Sequence, residues 1–333
     1  MDNHHLHIIV ERNVRFVEGL LEQFGTVEYL APEEISAERV QKADALFIRT
    51  RNRCDAALLD GSQCRFIGTA TIGTDHIDLP YCASRGITAV NAPGCNAPAV
   101  AQYVMASVLA IANRPIEQYT IGIIGVGHVG SIVERWARRM GMEVLVNDPP
   151  RQAAEGGDNW STLDEIAERA DIITVHTPLD ATTRHLLDDA YISTFRRSPI
   201  VINAARGPIA DTDALIRGID SGKIHHLVID CWENEPDISR ELLRRATIAT
   251  PHIAGYSLEG KIRAARMVLD EFSRTFSLPH IEMPQSAPAG AASKVSPAAI
   301  ARSYHPEDDT ARLKAAPETF ETLRNTYALR HEV

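Results

Sequence analysis

Short apolar runs separated by amphipathic stretches recur along most of the chain, and their spacing predicts alternating strands and helices. In the first part, His7–Val10, Ala45–Ile48, Phe66–Gly68 and Thr88–Val90 read as buried strands, with a helical pattern through Phe16, Leu20 and Leu21. That alternation predicts a small parallel-sheet unit. Further on, Ile121–Ile124, Glu143–Asn147, Ile172–His176, Ile200–Asn203, Leu227–Asp230 and Thr247–Ala249 read the same way, with helical patterns between them. They predict a doubly wound sheet. Residues 87–113 carry no charged side chain, but Asn91, Pro93, Gly94, Asn96, Pro98 and Gln102 interrupt the run. A buried helix over Ala99–Asn113 is therefore predicted rather than a membrane span. A helix over Leu258–Phe276 carries the chain back to the first unit. Residues 284–301 are rich in Pro, Ala, Ser and Gly and predict a flexible connection. The tail beyond, with a helical pattern at Phe320, Leu323 and Tyr327, has too few apolar residues for its own core and is expected to pack on another surface.

Between the run Ile121–Ile124 and an amphipathic stretch with apolar positions 129, 132, 133, 136, 137 and 140 lies Gly125-Val126-Gly127-His128-Val129-Gly130. A G-x-G-x-x-G loop between strand and helix binds a dinucleotide. Its first glycine makes the turn, its second admits the pyrophosphate, and its third lets helix and strand pack, with helix-terminal N–H groups facing the anion. The following strand ends at Asp148, 18 residues beyond the third glycine, where a carboxylate accepts hydrogen bonds from a ribose diol. An unmodified 2′-hydroxyl fits there, so NAD is favoured over NADP. Arg151 is the one nearby group suited to a 2′-phosphate.

A chain of 333 residues exceeds one ordinary core. With the glycine loop starting at residue 125, the expected organisation is α/β, two Rossmann-like doubly wound parallel-sheet domains with the cofactor domain inserted in the other. The expected bounds are 1–97 with 257–280 for a substrate (lid) domain, 98–256 for the NAD-binding domain, and 281–333 for a linker and C-terminal dimerisation segment.

Composition narrows the class without naming the chemistry. The chain is 44% hydrophobic and 23% charged, with a formal net charge of −10, which argues against general nucleic-acid or anionic-membrane binding. Its five cysteines include no C-x-x-C pair and are odd in number, so neither a zinc site nor a disulfide framework is expected, and a reducing cytoplasm fits. Met1 to His7 lacks the pattern of a signal peptide. His4, His5 and His7 have no acidic or thiol partner at ligand spacing and read as a solvated terminus.

Three strand-end motifs carry candidate chemistry: Asn203 to Gly207, Asp230 to Pro236 and Pro251 to Tyr256. Ligands of such sheets bind beyond the strands' carboxyl ends. There Arg206 can grip a carboxylate with two parallel hydrogen bonds, His252 can take an alcohol proton, and Glu235 can orient the imidazole. Singly, each reads as a surface or structural residue. Their order beside a dinucleotide loop is the stronger signal.

That order, G-x-G-x-x-G, Arg-Gly, Glu-Pro and Pro-His, resembles the D-2-hydroxyacid dehydrogenase family. Gly68 to His76, Ala92 to Asn96, Asp148 to Arg151 and His252 to Lys261 are similar to the branch that serves vitamin B6 synthesis. The resemblance spans roughly residues 7–276 and resumes near Phe320 to Arg330. It implies Arg206, Glu235 and His252 as catalytic, and Thr50, Thr71 and Tyr256 as substrate-binding. It also implies Gly125, Gly127, His128, Val129, Gly130, Asp148, Thr177, Ala204, Asp230 and Gly255 as cofactor-binding. Thr50 stands where that branch carries Ser, Gln102 where many members carry Glu, and the tail is shorter.

Arg49, Arg51 and Arg53 crowd the end of the predicted strand Ala45–Ile48. If successive side chains alternate, all three share one side. From charge alone the cluster is equally a local anion-attracting patch or a solvated loop; the resemblance favours a phosphate site. The implied function is NAD-dependent oxidation of a phosphorylated small-molecule hydroxy acid. The alternatives are the same chemistry on a glycerate or phosphoglycerate, and an NAD-responsive binding protein, since this fold also serves in transcriptional corepressors. No metal, nucleic acid or membrane partner is expected, and a homodimer is.

Overall fold

A computed structural model describes residues 5–283 and 295–333. The chain divides into two compact units, Met1–Asn96 with Leu258–Ala289, and Ala97–Ser257 with Gly290–Val333.

In the first unit, strands β1 (Leu6–Glu11), β2 (Gly25–Leu30), β3 (Ala45–Ile48), β4 (Phe66–Thr69) and β5 (Thr88–Val90) form a wholly parallel sheet in the order β2-β1-β3-β4-β5. Every residue of β3 and β4 is buried, as strands covered on both faces must be. On one face Phe47, Phe66 and Phe272 pack with ring centroids 5.2 to 5.6 Å apart, which fastens the helix Leu258–Thr275 to this sheet.

Two expectations fail here. The helical pattern through Phe16, Leu20 and Leu21 forms turns and a single 3₁₀ turn, Glu22–Phe24, because Phe16 and Gly19 both adopt positive φ (65° and 79°). β2 is a strand that the apolar pattern does not reveal. It lies at the sheet's edge, pairs only with β1 and keeps Thr26 exposed, so its hydrophobic signal is weak.

The second unit holds β6 (Thr120–Ile124), β7 (Glu143–Asn147), β8 (Ile172–Val175), β9 (Ile200–Asn203), β10 (His226–Ile229) and β11 (Ile248–Ala249). All are parallel, in the order β11-β10-β9-β8-β6-β7. The order reverses at β6, between β7 and β8, and the glycine loop follows β6. That is where a doubly wound sheet opens a crevice. The helix Ala97–Ile111 is buried along most of its length, which explains its freedom from charge. Among the described residues no helix is long and apolar enough to cross a membrane.

Of the stretch 281–333 expected as linker and dimerisation segment, residues 295–333 cluster with the second unit. Ile300, Tyr304, Leu313 and Phe320 enter that unit's core. The helix Pro306–Ala315 covers the edge strand β11, where the Ala249 N–H donates to Thr310 Oγ1 at 3.0 Å. The reason is apolar: the tail's few hydrophobic residues find cover on the sheet of their own chain. His4 and positions 284–294 of the expected flexible connection lie outside the described residues. His5 and His7 bond Thr26 and Glu28 of the adjacent strand.

Candidate active site

The glycine loop has the shape its three glycines require. Gly125 sits at φ +87°, and a Cβ there would lie 2.7 Å from the His176 carbonyl carbon. A Cβ on Gly130 would lie 2.0 Å from the Gly125 carbonyl oxygen, so the helix Gly130–Arg139 begins against the turn itself. By contrast, a Cβ on Gly127 would meet nothing within 4 Å. This is the cradle into which a pyrophosphate fits. His128 is exposed and Val129 half-buried on its rim. Beside it, Thr177 Oγ1 is buried without a hydrogen-bond partner, and such orphaned atoms point to a missing polar ligand.

Asp148 fastens the loop to the next strand. Its Oδ2 accepts from the Val126 N–H at 2.8 Å and its Oδ1 from the Arg151 N–H at 3.0 Å, capping the helix Pro149–Glu155. A carboxylate offers about four acceptor positions, so it retains capacity for a ribose diol. Arg151 is committed elsewhere: Nε to Glu155 at 2.6 Å and Nη1 to the Val126 carbonyl at 2.8 Å. With its charge met by Glu155, the one group suited to a 2′-phosphate is already paired. Asp148→Ala is expected to weaken NAD binding by about 10- to 150-fold, the worth of a hydrogen bond to a charged group, and to narrow the preference over NADP. Fluorescence titration of both cofactors checks this; unchanged affinities would remove Asp148 from the site.

Three loops at the carboxyl ends of β9, β10 and β11 carry the candidate trio. Asn203 shapes the first: its Nδ2 donates to the Arg206 carbonyl at 3.0 Å and its Oδ1 accepts from the Ala205 N–H at 3.2 Å. Ala204 is buried at the strand's end, and Arg206 stands half-buried beyond it. A Cβ on Gly207 would collide with the Trp232 carbonyl at 1.9 Å, so the first and second loops touch backbone to backbone.

Asp230, at the end of β10, braces the third loop. Its Oδ1 accepts from Thr250 Oγ1 at 2.6 Å and from the Ile253 N–H at 2.8 Å, and its Oδ2 accepts from the Ala254 N–H at 3.0 Å. Burial pushes this carboxyl up; the charge of His252 and these donors oppose the rise. Tyr103 extends the network through Thr250 at 2.7 Å. Asp230, predicted to bind cofactor, thus stands where it holds the histidine loop.

His252 occupies that loop at φ +56°, a strained conformation for a residue with a side chain, costing on the order of 1–3 kcal/mol. The bracing by Asp230 offsets the cost. Its Nδ1 meets Glu235 Oε2 at 2.8 Å, while Glu235 Oε1 accepts from the Trp232 N–H at 2.8 Å. Burial raises the Glu235 carboxyl, but the charges of His252 and Arg324 and its hydrogen bonds outweigh this and hold it below the usual range. An ionised Glu235 accepts from Nδ1–H, which leaves Nε2 to exchange a proton with a ligand.

Cys231 sits at the hub. Its sulfur and the ligand atoms of Glu235 and His252 lie within 4.8 Å of one another, and it senses the charges of Arg206 and Arg324. Burial drives its thiol well above the ordinary value, so it stays protonated, facing the Ala205 carbonyl at 3.4 Å. Glu235 and His252 thus meet beside a buried neutral thiol, within electrostatic reach of Arg206.

Two contributors went unread in the sequence, and both come from the tail. Arg330 is buried, and its guanidinium donates to the carbonyls of Ile253, Ala254, Tyr256 and Ala99, clamping the loop that includes Gly255. Arg324 is hydrogen-bonded to Tyr256 and interacts electrostatically with Glu235. Tyr256 also stacks edge-on against Tyr327, with centroids 6.1 Å apart.

The remaining expected residues belong to the first unit. Thr50 and Thr71 each lie two residues beyond the paired ends Ile48 and Thr69 of β3 and β4, at one edge of the sheet. Thr71 Oγ1 contacts Thr69 Oγ1 at 2.7 Å. Arg49, Arg51 and Arg53 do not share a strand face, because β3 ends at Ile48 and the chain bends over 50–52. The Arg49 N–H is held by Glu11 at 2.7 Å, Arg51 is exposed, and Arg53 is 84% exposed in an ion pair with Asp55 at 2.8 Å.

Comparison with known proteins gives the family. The family model described as D-isomer specific 2-hydroxyacid dehydrogenase, NAD binding domain, matches residues 99–254. The chain is 45% identical to an erythronate-4-phosphate dehydrogenase of Bacteroides thetaiotaomicron, over 98% of this chain and 97% of that one. It is 39% identical to the protein of the same name from Ectopseudomonas mendocina, over 98% and 93%. Among solved structures it is similar to a D-lactate dehydrogenase from Aquifex aeolicus complexed with NAD and lactic acid. There the TM-score is 0.70 at 26% identity, covering 81% of this chain and 96% of that one.

Proposed function

Because the chain belongs to the D-isomer specific 2-hydroxyacid dehydrogenase family, among the erythronate-4-phosphate dehydrogenases, we propose that it oxidises 4-phospho-D-erythronate to 2-oxo-3-hydroxy-4-phosphobutanoate with NAD, in the synthesis of pyridoxal 5′-phosphate. The observation that carries this reading is the pair His252–Glu235, 2.8 Å apart and half-buried at the strand ends.

Bound NAD supplies the acceptor for the hydride that leaves C2. The protein's residues handle the rest. Arg206 grips the C1 carboxylate with two parallel hydrogen bonds and polarises the C2 oxygen. His252 takes the hydroxyl proton at Nε2 as the C2–O bond becomes a carbonyl, and Glu235 stabilises the imidazolium that results. The proton then passes to solvent, so each turnover yields one oxo acid, one reduced nicotinamide and one proton. Gly125, Gly127 and Gly130 hold the pyrophosphate, and Asp148 the ribose diol.

In this reading the second unit binds cofactor and the first serves as the substrate lid, with Thr50, Thr71 and the arginines after β3 contributing to the substrate side. A homodimer in the cytoplasm completes it, in keeping with five free, buried cysteines. The two relatives favour it over a glycerate-type enzyme or a corepressor. The test is a panel of D-erythronate, 4-phospho-D-erythronate, D-glycerate and 3-phosphoglycerate, followed by nicotinamide absorbance. The highest kcat/KM is expected for 4-phospho-D-erythronate; a higher value for either three-carbon acid would overturn the assignment.

A further inference from the structure

We propose that Arg324, supplied by the C-terminal tail, is a second anion-binding residue of the active centre and receives the phosphate of the substrate. This rests on the reading above, that the substrate carries both a carboxylate and a phosphate.

Arg324 lies on the short helix Phe320–Asn325. Phe320, 1% exposed, and Leu323 root that helix in the core of the second unit. The guanidinium consequently points inward: the side chain is only 15% exposed, and its Nε is buried with no hydrogen-bond partner. Its surroundings are those of the catalytic loops. Burial works against its charge, but Tyr256, Glu235 and Glu321 outweigh that and raise it, with Tyr256 also hydrogen-bonded to it. The effect is mutual, since Arg324 helps hold Glu235 down and acts on Cys231 in the same direction as Arg206.

A guanidinium has five N–H donors. Here Nε has no hydrogen-bond partner, and the Glu321 carboxylate stands 3.7 Å from Nη1, beyond hydrogen-bond reach. A buried cation with donors to spare is costly unless an anion completes it. The charge balance identifies which anion. A carboxylate and a phosphate together bring nearly three negative charges at neutral pH, toward a centre that already contains Glu235 and Asp230. Arg206 answers the carboxylate. A second fixed guanidinium beside the Tyr256 hydroxyl answers the phosphate, whose oxygens match its planar fork.

Full-length Arg324→Gln and Arg324→Lys are to be compared with wild type on 4-phospho-D-erythronate and D-erythronate, with inorganic phosphate as a competitive inhibitor. For Arg324→Gln, kcat/KM on the phosphorylated acid is expected to fall about 10- to 150-fold further than on the unphosphorylated acid, mainly through KM. Phosphate should lose inhibitory strength in parallel, NAD affinity should hold, and Arg324→Lys should restore much of the loss. Equal proportional losses on both substrates would overturn the proposal and make Arg324 a positioning residue. Should Arg324→Gln not fold, unaltered phosphate inhibition in Arg324→Met would overturn it equally. Failure of wild type to oxidise 4-phospho-D-erythronate would count against the substrate reading, while phosphate inhibition would still test Arg324.

Discussion

His252→Asn is expected to lower kcat by on the order of 10²-fold or more, with NAD affinity unchanged. The imidazole Nδ1 is tied to Glu235 at 2.8 Å, which leaves Nε2 for the hydroxyl proton in the proposed reaction. Asparagine is the informative replacement. At φ +56° most side chains are strained, and asparagine tolerates that conformation better than alanine. The loop held by Asp230 and Arg330 should therefore survive, and the lost rate reports the lost base. Steady-state kcat alongside NAD titration makes the check. A normal kcat would remove His252 from the mechanism.

Arg206→Ala should fail differently, damaging substrate binding and turnover together. Two charge-assisted hydrogen bonds to a carboxylate, one of which also polarises the reacting carbonyl, are worth about 3–6 kcal/mol in total, or on the order of 10²–10⁴ in kcat/KM. Arg206→Lys keeps the charge without the fork and should recover only part. NAD affinity should stay near wild type, because Asn203, not the guanidinium, shapes the loop. The measurement is kcat and KM for all three proteins; a rise in KM with kcat intact would mean that Arg206 binds the substrate without acting in the transition state.

What the sequence made legible was whatever depended on local spacing. Gly125, Gly127 and Gly130 occur at fixed intervals because together they shape the single turn between β6 and the helix that follows, and Asp148 is reached one strand later. Arg206, Glu235 and His252 were legible because strand ends are where such sheets present ligands, and β9, β10 and β11 are short apolar runs that are easy to find. Residues placed by tertiary packing alone were not. Arg324 and Arg330 lie more than seventy positions beyond His252, in a stretch whose pattern shows only an amphipathic helix. Nothing local distinguishes them from surface arginines, and only the fold brings Arg330 to the carbonyls around residue 254. Arg53 shows the limit of such spacing. Charge clustering marked it as a candidate for phosphate, yet a bend after Ile48 turns it to solvent and to Asp55. Spacing of two residues speaks of a shared face only while the strand continues.

The central claim is that these loops form one centre that removes a hydride from C2 of a phosphorylated hydroxy acid while His252 takes the proton. It is tested most directly by a single turnover of 4-phospho-D-erythronate deuterated at C2, with enzyme and NAD in excess. The account predicts one equivalent of reduced nicotinamide carrying the deuterium, formed more slowly than with the unlabelled substrate wherever chemistry limits the turnover. Oxo acid appearing with the label released to solvent, or no reduced nicotinamide at all, would contradict it.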